Sequence, residues 1–328
     1  MNAARIPGAK GAKTSVVMCT YNGGRFLEEQ LAGIAQQTRR PAELIVCDDA
    51  SSDNSVAILK DFAARAPFPV RIVQNRKRLG STGNFDQAIR RANEELIALC
   101  DQDDWWAPNK LERLSTVLIE DPSLGGVFSN ATLIDEDSHP IGISLFEKHR
   151  FSDAKRQGFL SDPASILLRH NVVTGSTLMF RASILRHFVL IPQSWVHDGW
   201  LTWMIALHSR LGLIPEPLMS YRIHSGQQIG IGSSRLVSQG VPESESRRKY
   251  HARVAQQFHD LLTHLLSSDK REHKELVSAV ESKIRLLYRE STLSDSMTVR
   301  LLQILRILPD YARYTRGLGA LRNDLFLN

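Results

Sequence analysis

Long apolar runs are missing from this 328-residue sequence. No stretch of 18 or more apolar residues occurs, which excludes a membrane-spanning helix. Met1 to Lys13 carry some positive charge but no apolar centre, so a disordered tail is expected there and not a secretory leader. Cysteine is scarce: Cys19, Cys47 and Cys100 each sit inside an apolar run, and no CxxC pair is present. An odd count in buried strands speaks against a disulfide framework and a structural zinc site, and for reduced thiols in a cytoplasmic protein. Internal repeats and low-complexity tracts are absent as well. Charge of neither sign is short, with 41 Lys and Arg against 35 Asp and Glu, a net +6. That balance suits phosphate-bearing substrates or an anionic surface, although a solvated basic face would give it too. No nucleic-acid-binding motif accompanies it, so nucleic acid is not an expected partner.

What the sequence does have is alternation. Short β-rich runs at Ser15–Cys19, Glu43–Cys47, Val70–Val73, Leu96–Cys100 and Gly126–Ser129 are separated by helical patterns. Leu27, Leu31 and Ile34 share one helix face, Val56, Leu59 and Phe62 another, and Leu111, Leu114 and Leu118 a third that starts after Pro108. Continuous apolar strands alternating with helices predict a mostly parallel sheet covered on both faces. Ligands of such sheets bind beyond the carboxyl ends of the strands. Past residue 130 the pattern loosens into a turn at Asp135–His139, strands at Ser176–Phe180 and Pro217–Ile223, and a helix over Trp200–His208.

Unusual polar residues gather at the strand ends. Cys19-Thr20-Tyr21-Asn22-Gly23 follows the first strand and offers a hydroxyl, an aromatic ring and an amide to a base or ribose; Asn22 as a helix N-cap is the alternative. Asp48-Asp49-Ala50-Ser51-Ser52-Asp53 follows the second, where one carboxylate can accept from a base N–H while Asp53 or a serine caps a helix. Asp101-Gln102-Asp103-Asp104-Trp105-Trp106 follows the fourth. Three carboxylates in four residues repel one another unless a cation sits among them. Oxygen ligands suit Mg2+ or Mn2+, and with no glycine-rich loop to cradle a diphosphate, such an ion is expected to hold it.

Taken in order, the strand followed by Thr20-Tyr21-Asn22-Gly23, the Asp48–Asp53 segment, Asn84-Phe85 and the Asp101–Leu111 segment resemble the family 2 glycosyltransferases of the GT-A fold. The resemblance covers about Thr14 to His224. It is similar above all to bacterial rhamnosyltransferase-like members, which show the Asp-Gln-Asp-Asp run followed by Trp and a late Tyr-Arg-x-His segment, here Tyr221 to Gly230. The resemblance implies that Cys19 and Tyr21 contact the nucleoside, the ring stacking on or flanking the base, and that Asp49 reads the base N3–H. It implies that Asp103 binds the metal, that Asp101 contacts ribose or the metal's waters, and that His224 stands near the metal or diphosphate. Thr20, Asn22, Asn84 and Gln102 fall among its nucleotide-sugar contacts. It places the general base at Asp198, within Val196-His197-Asp198-Gly199-Trp200, with Trp200 against a sugar. Two positions depart from the pattern: Cys19 where a small hydroxyl residue is common, and His197 where glutamate is.

The reading is thus an inverting, metal-dependent transferase taking a dTDP- or UDP-sugar to a hydroxyl of a glycan or lipid-linked acceptor of a bacterial surface polysaccharide. Two alternatives stand beside it, a sugar-phosphate nucleotidyltransferase and a non-catalytic scaffold of a glycan assembly complex. The expected organisation is a catalytic domain over 14–243, with its nucleotide-sugar half at 14–130 and its acceptor half at 131–243, and a helical region over 244–328. That last region holds 15 Lys and Arg against 11 Asp and Glu over residues 241–328. Val299–Leu308 is apolar on most of its circumference, with arginines interspersed. Peripheral contact with the inner face of the plasma membrane, packing on the catalytic domain and a homodimer interface all fit that pattern.

Overall fold

The computed structural model describes residues 11–227, 243–267, 273–293 and 296–315. The first ten residues of the tail expected over 1–13, the end of the Tyr221–Gly230 segment and Arg316 lie outside them, whereas Lys13 is bonded to Glu95 and Leu96. In chain order the elements are β1 Thr14–Thr20, α1 Leu27–Ala35, β2 Glu43–Asp48, α2 Ser55–Arg65, β3 Val70–Gln74, α3 Gly80–Ile89, β4 Leu96–Cys100, β5 Trp105–Trp106 and α4 Lys110–Glu120. There follow β6 Leu124–Ile134, β7 Pro140–Ser144, α5 Leu145–Lys148, α6 Asp153–Ser161, α7 Pro163–Leu167, β8 Leu178–Arg181, α8 His197–His208, β9 Arg210–Arg222, α9 Glu243–Ser267, α10 Lys274–Ser291 and α11 Met297–Tyr314.

The strands form one sheet in the order β3-β2-β1-β4-β8-β6-β9-β5, with β7 paired to β6. The first half, β3-β2-β1-β4, is parallel. Its apolar strands are buried on both faces, which is why they read as unbroken hydrophobic runs. The second half is mixed: β8 runs antiparallel to β4 and β6, while β9 runs parallel to β6. This is the mostly parallel α/β sheet that the alternation predicts.

Register decides what meets at the strand ends. Met18 pairs with Cys100 and Thr20 with Asp48, so the loops after β1, β2 and β4 open on the same side. Because β8 is antiparallel to β4, the short 3-10 turn Gly175–Thr177 that precedes it falls at that same end. The predicted strand over Ser176–Phe180 therefore starts two residues later, and its first residues are a turn. Strand β9 is longer than predicted, and β5 pairs antiparallel with it, Trp105 opposite Ser220. That pairing lays the acidic loop beside Tyr221 and Arg222. The Asp135–His139 turn closes as predicted, the Asp135 N–H donating to the His139 carbonyl at 3.0 Å.

The chain divides into two compact units, Met1–Leu160 with Val173–Gln227, and Ser161–Val172 with Gln228–Asn328. The first holds the sheet. In the second, α9, α10 and α11 bury Phe258, Leu261, Leu265, Leu286, Leu287, Ile304 and Tyr311.

Candidate active site

The loops after β1 and β2 are laced together. Asn22 and Ala50 both take left-handed backbone, at φ 48° and 61°, a cost for non-glycine residues that persists only where surroundings fix it. The N–H groups of Asn22, Gly23 and Gly24 donate to Ser51 Oγ at 2.9 Å, Ser55 Oγ at 2.9 Å and Asp53 Oδ2 at 3.0 Å. The Tyr21 N–H donates to Gln102 Oε1 at 2.8 Å. A Cβ on Gly23 would stand 2.2 Å from that Gln102 oxygen, so a larger residue there would push the Gln102 side chain off the Tyr21 N–H. Every amide from Tyr21 to Gly24 is thus occupied within the chain, and none is offered to a triphosphate. The nucleotidyltransferase alternative would need such amides free.

Several predicted contacts take other roles in this lacing. Asn22 does not cap α1, whose N-cap is Phe26; its Oδ1 accepts from the Ser52 N–H at 2.8 Å. Thr20 is buried and donates to Asp48 Oδ2 at 2.9 Å. Asn84 is buried too, donating to the Cys47 carbonyl at 2.7 Å and accepting from Asn75 Nδ2 at 2.9 Å. The Thr20 and Asn84 side chains are therefore bonded inside the chain and hold the loops of the site together. Trp200 likewise belongs to the core, edge-on to Trp195 and Phe188 and buried, so its ring is no platform for a sugar. Cys19 lies at the strand end, and burial pushes its thiol well above the ordinary range, keeping it a neutral wall.

Asp49 is held by the loop that follows β3. Its Oδ1 accepts from the Leu79 N–H at 2.7 Å and from Asn75 Nδ2 at 3.0 Å, and its Oδ2 accepts from the Gly80 N–H at 2.9 Å. One acceptor position of Oδ2 is left, since a carboxylate oxygen takes two donors. The same loop sets the Arg78 guanidinium over the Tyr21 ring, 3.9 Å from its centroid.

The acidic loop after β4 is the centre of the arrangement. His224 Nε2 lies 2.9 Å from Asp103 Oδ2, and the imidazole rests on Phe26 with ring centroids 4.8 Å apart. A cleft lined by Asn22, Gly23, Arg25, Phe26, Gln102, Glu136, His224, Ser225 and Gly226 opens beside this couple. Burial, followed by repulsion from Asp104, Asp103 and Asp198, lifts Asp101 well above the carboxylate range. Asp104 is raised in the same way by burial and by Asp103. Beneath them Lys110 is fully buried, its Nζ donating to the Ser176 carbonyl and standing 3.7 Å from the centre of the Trp106 ring. Burial lowers its ammonium below the ordinary lysine range.

Asp198 arrives from the first turn of α8. Its Oδ2 accepts from the Gly175 N–H at 3.0 Å. Burial raises it to about 6, with the Gly175 and Gly199 amides pulling the other way. The turn Gly175–Thr177 is the shared support: Gly175 fixes Asp198, and the Ser176 carbonyl holds Lys110. His197, next in line, is buried and stacked on Phe85 at 3.7 Å, and burial depresses it to about 3, so it is neutral.

Arg222 joins the pieces and escaped the sequence reading except as part of a motif. It is fully buried. Its Nε donates to the Asp103 carbonyl at 2.8 Å, and its two terminal nitrogens reach Ser138 Oγ at 2.8 Å, the Asp135 and Glu136 carbonyls, and Glu29 Oε2 at 2.6 Å. Only a planar fork serves so many acceptors at once. Arg222→Met is expected to cost on the order of 3 kcal/mol in urea unfolding, because buried carbonyls lose their donor while half-exposed Glu29 is rehydrated. Arg222→Lys should restore part of that. An unchanged midpoint in the Met variant would contradict this role.

The donor set also bears on the metal. Among the described residues no group of three or more His, Cys, Asp or Glu side chains is arranged to hold an ion unaided. The Asp103–His224 couple, with crowded carboxylates behind it, fits an ion that draws its remaining ligands from a diphosphate and water.

A mixed sheet whose parallel half ends in interlocked loops and an acidic turn defines a GT-A-type transferase fold. The family model described as glycosyl transferase family 2 matches residues 15–187, more than half of the chain, and the chain belongs to that family. It is 26% identical over 253 residues to an uncharacterised glycosyltransferase of Nostoc sp., covering 74% of this chain and 72% of that one. It is 28% identical over 124 residues to the Escherichia coli UDP-Glc:alpha-D-GlcNAc-diphosphoundecaprenol beta-1,3-glucosyltransferase WfgD, covering 38% of this chain and 47% of that protein. In structure it is similar to a mannosyltransferase from Pyrobaculum calidifontis in complex with GDP-Man and Mn2+, with a TM-score of 0.56 at 17% identity, covering 96% of this chain and 81% of the other.

Proposed function

We propose that the chain transfers a sugar, with inversion, from a nucleotide diphosphate donor to a hydroxyl of a glycan or lipid-linked acceptor in the assembly of a bacterial surface polysaccharide. The observation that carries this reading is the meeting of two different carboxylate environments at one end of the sheet. His224 lines an open cleft and is bonded to Asp103 behind it, while Asp198 is buried, raised to about 6 and close enough to repel Asp101. One side suits a charged diphosphate, the other a proton acceptor tuned towards neutrality.

In this reading the nucleoside lies against Tyr21 and Arg78, and Asp49 offers the free position on Oδ2 to a base N–H. Asp103 and His224 would hold Mg2+ or Mn2+ together with the donor diphosphate, and that ion, when bound, would neutralise charge on the leaving nucleotide. Asp198 takes the proton of the acceptor hydroxyl as it attacks the anomeric carbon from the face opposite the nucleotide. A single displacement inverts that centre, and the leaving diphosphate carries away the bonding pair. Asp101 contacts the ribose or the metal's waters, Arg222 keeps the acidic loop in shape, and no covalent nucleophile is needed. Support for the donor class comes from the relatives' names, which include UDP-Glc and GDP-Man as donors. Rhamnose as the sugar rests only on the Asp101–Trp105 and Tyr221–His224 segments.

A thermal-shift panel of dTDP-, UDP- and GDP-sugars with Mg2+ or Mn2+ tests the donor class. Ligand at about 100 times its Kd stabilises by roughly 2.7 kcal/mol, a rise of several degrees. No rise with any nucleotide sugar, with or without a cation, would contradict the proposal.

A further inference from the structure

The sequence left three uses open for the apolar, arginine-bearing segment Val299–Leu308, and the structure separates its two sides. Helix α11 turns Arg300, Ile304, Ile307, Tyr311 and Tyr314 inward, all buried. Its C-terminal end is pinned within the second unit, the Tyr314 carbonyl accepting from Lys283 Nζ at 2.6 Å and the Arg313 carbonyl from Arg169 Nε at 3.0 Å. The helix therefore cannot roll to hide its other side. That side carries Leu301, Leu302, Leu305 and Leu308, which stay 41 to 59% exposed. Leu301, Leu305 and Leu308 follow one another at the spacing of four and three residues that makes a single stripe. Leu302, Arg306 and Arg313 lie along one edge of it, and both arginines are exposed.

Four neighbouring exposed leucines on one fixed helix face are uncommon on a surface that meets only water. Charge narrows what covers them. A face that pairs with its own copy about a two-fold axis must be self-complementary. Here α11 exposes two arginines and no acidic residue, and its only acid, Asp310, is half-buried, so antiparallel pairing of α11 with a second α11 would set like charges together, and parallel pairing would leave the arginines without an acidic partner on the facing helix. The same edge complements a negatively charged lipid surface, where leucines enter the acyl boundary and arginines meet headgroup phosphates. The excess of Lys and Arg over Asp and Glu in residues 241–328 acts in the same direction.

We infer that the leucine face of α11 seats the protein on an anionic membrane surface, as a helix lying in the interface and not crossing it. The inference is independent of the donor and acceptor proposed above, because capture by lipid requires no sugar. It would place the catalytic unit's owner at the surface where lipid-linked acceptors reside.

Flotation of the full chain with vesicles tests it, comparing phosphatidylcholine alone with a phosphatidylcholine and phosphatidylglycerol mixture at low salt. The protein is expected to float with the anionic vesicles, to bind the neutral ones weakly, and to be released as salt rises. Arg306→Gln with Arg313→Gln should weaken partitioning on the order of 30-fold, taking about 1 kcal/mol for each cation near the surface. Leu301→Gln with Leu305→Gln should abolish it with the melting temperature held, since both side chains are exposed. A wild-type chain that stays unbound with anionic vesicles at low salt overturns the inference. So does a sedimentation mass of two chains that the leucine double variant reduces to one without any vesicle dependence, which would assign the face to a second copy.

Discussion

Asp198→Asn is expected to reduce turnover by about 10²–10⁴-fold while leaving donor affinity near its wild-type value, the effect typical of losing a general base. The substitution keeps the shape of the side chain and an oxygen for the Gly175 N–H, but it can no longer take a proton. Donor contacts are unaffected because none of them is assigned to Asp198. The pH profile supplies a second reading of the same group. Burial raises Asp198 to about 6, so the carboxylate is ionised above that value and protonated below it. A base works only when ionised; turnover should therefore fall as pH drops through about 6 and level off above it. For stability the sign is opposite. Ionising a buried carboxylate opposes folding, so the penalty is absent below the unfolded value near 4, grows between about 4 and 6, and is full above. The Asn variant removes it, and its melting temperature at neutral pH should not fall below wild type. Equal losses in donor binding and turnover, or a markedly lower melting temperature, would make Asp198 a helix-terminal structural residue.

Asp103→Ala should lose at least about 10²–10³-fold in turnover, the range seen when one electrostatic partner of a developing charge is removed. It should also lose the dependence of donor binding on Mg2+ or Mn2+. The side chain contacts His224, which lines the cleft, at 2.9 Å and is part of the mutual repulsion that raises Asp101 and Asp104. Removing it relieves that repulsion, so the variant should unfold no more easily than wild type although it is inactive. Asp103→Asn separates charge from geometry, as its amide can still bond to His224. If charge is what matters, Asn and Ala are equally inactive. Wild-type turnover by the Ala variant in the presence of a chelator would remove Asp103 from the donor site.

Much of the fold was legible because the inner strands of its parallel half, β1, β2 and β4, are buried on both sides. Strands such as Leu44–Cys47 and Leu96–Cys100 must then be apolar at every position, and runs of that kind are visible without an alignment. The mixed half was harder. Strand β8 is four residues long, and the turn before it, Gly175-Ser176-Thr177, has the composition of a strand edge, so its role in supporting Asp198 had no local signal. The clusters at the strand ends were legible because charge after a buried strand is costly. What the sequence hid was which side chains face one another. Thr20 and Asn84 carry ligand-binding groups but spend them on Asp48 and Cys47, and Trp200 turns inward. Arg222 and Lys110 stand 118 and 66 residues from the groups they hold, Asp104 and Ser176, and no spacing rule links such pairs.

The central claim is that the loops after β1, β2 and β4, with Asp198, form one site that breaks the bond between a sugar and a nucleoside diphosphate. Following a panel of nucleotide sugars by NMR, with purified full-length chain and Mg2+ or Mn2+, tests it most directly. The account predicts slow release of free nucleoside diphosphate from at least one donor. The liberated sugar should first appear with the anomeric configuration opposite to that of the donor, and release should stop on chelation. Retention of configuration, or no cleavage of any donor by a folded chain, would contradict it.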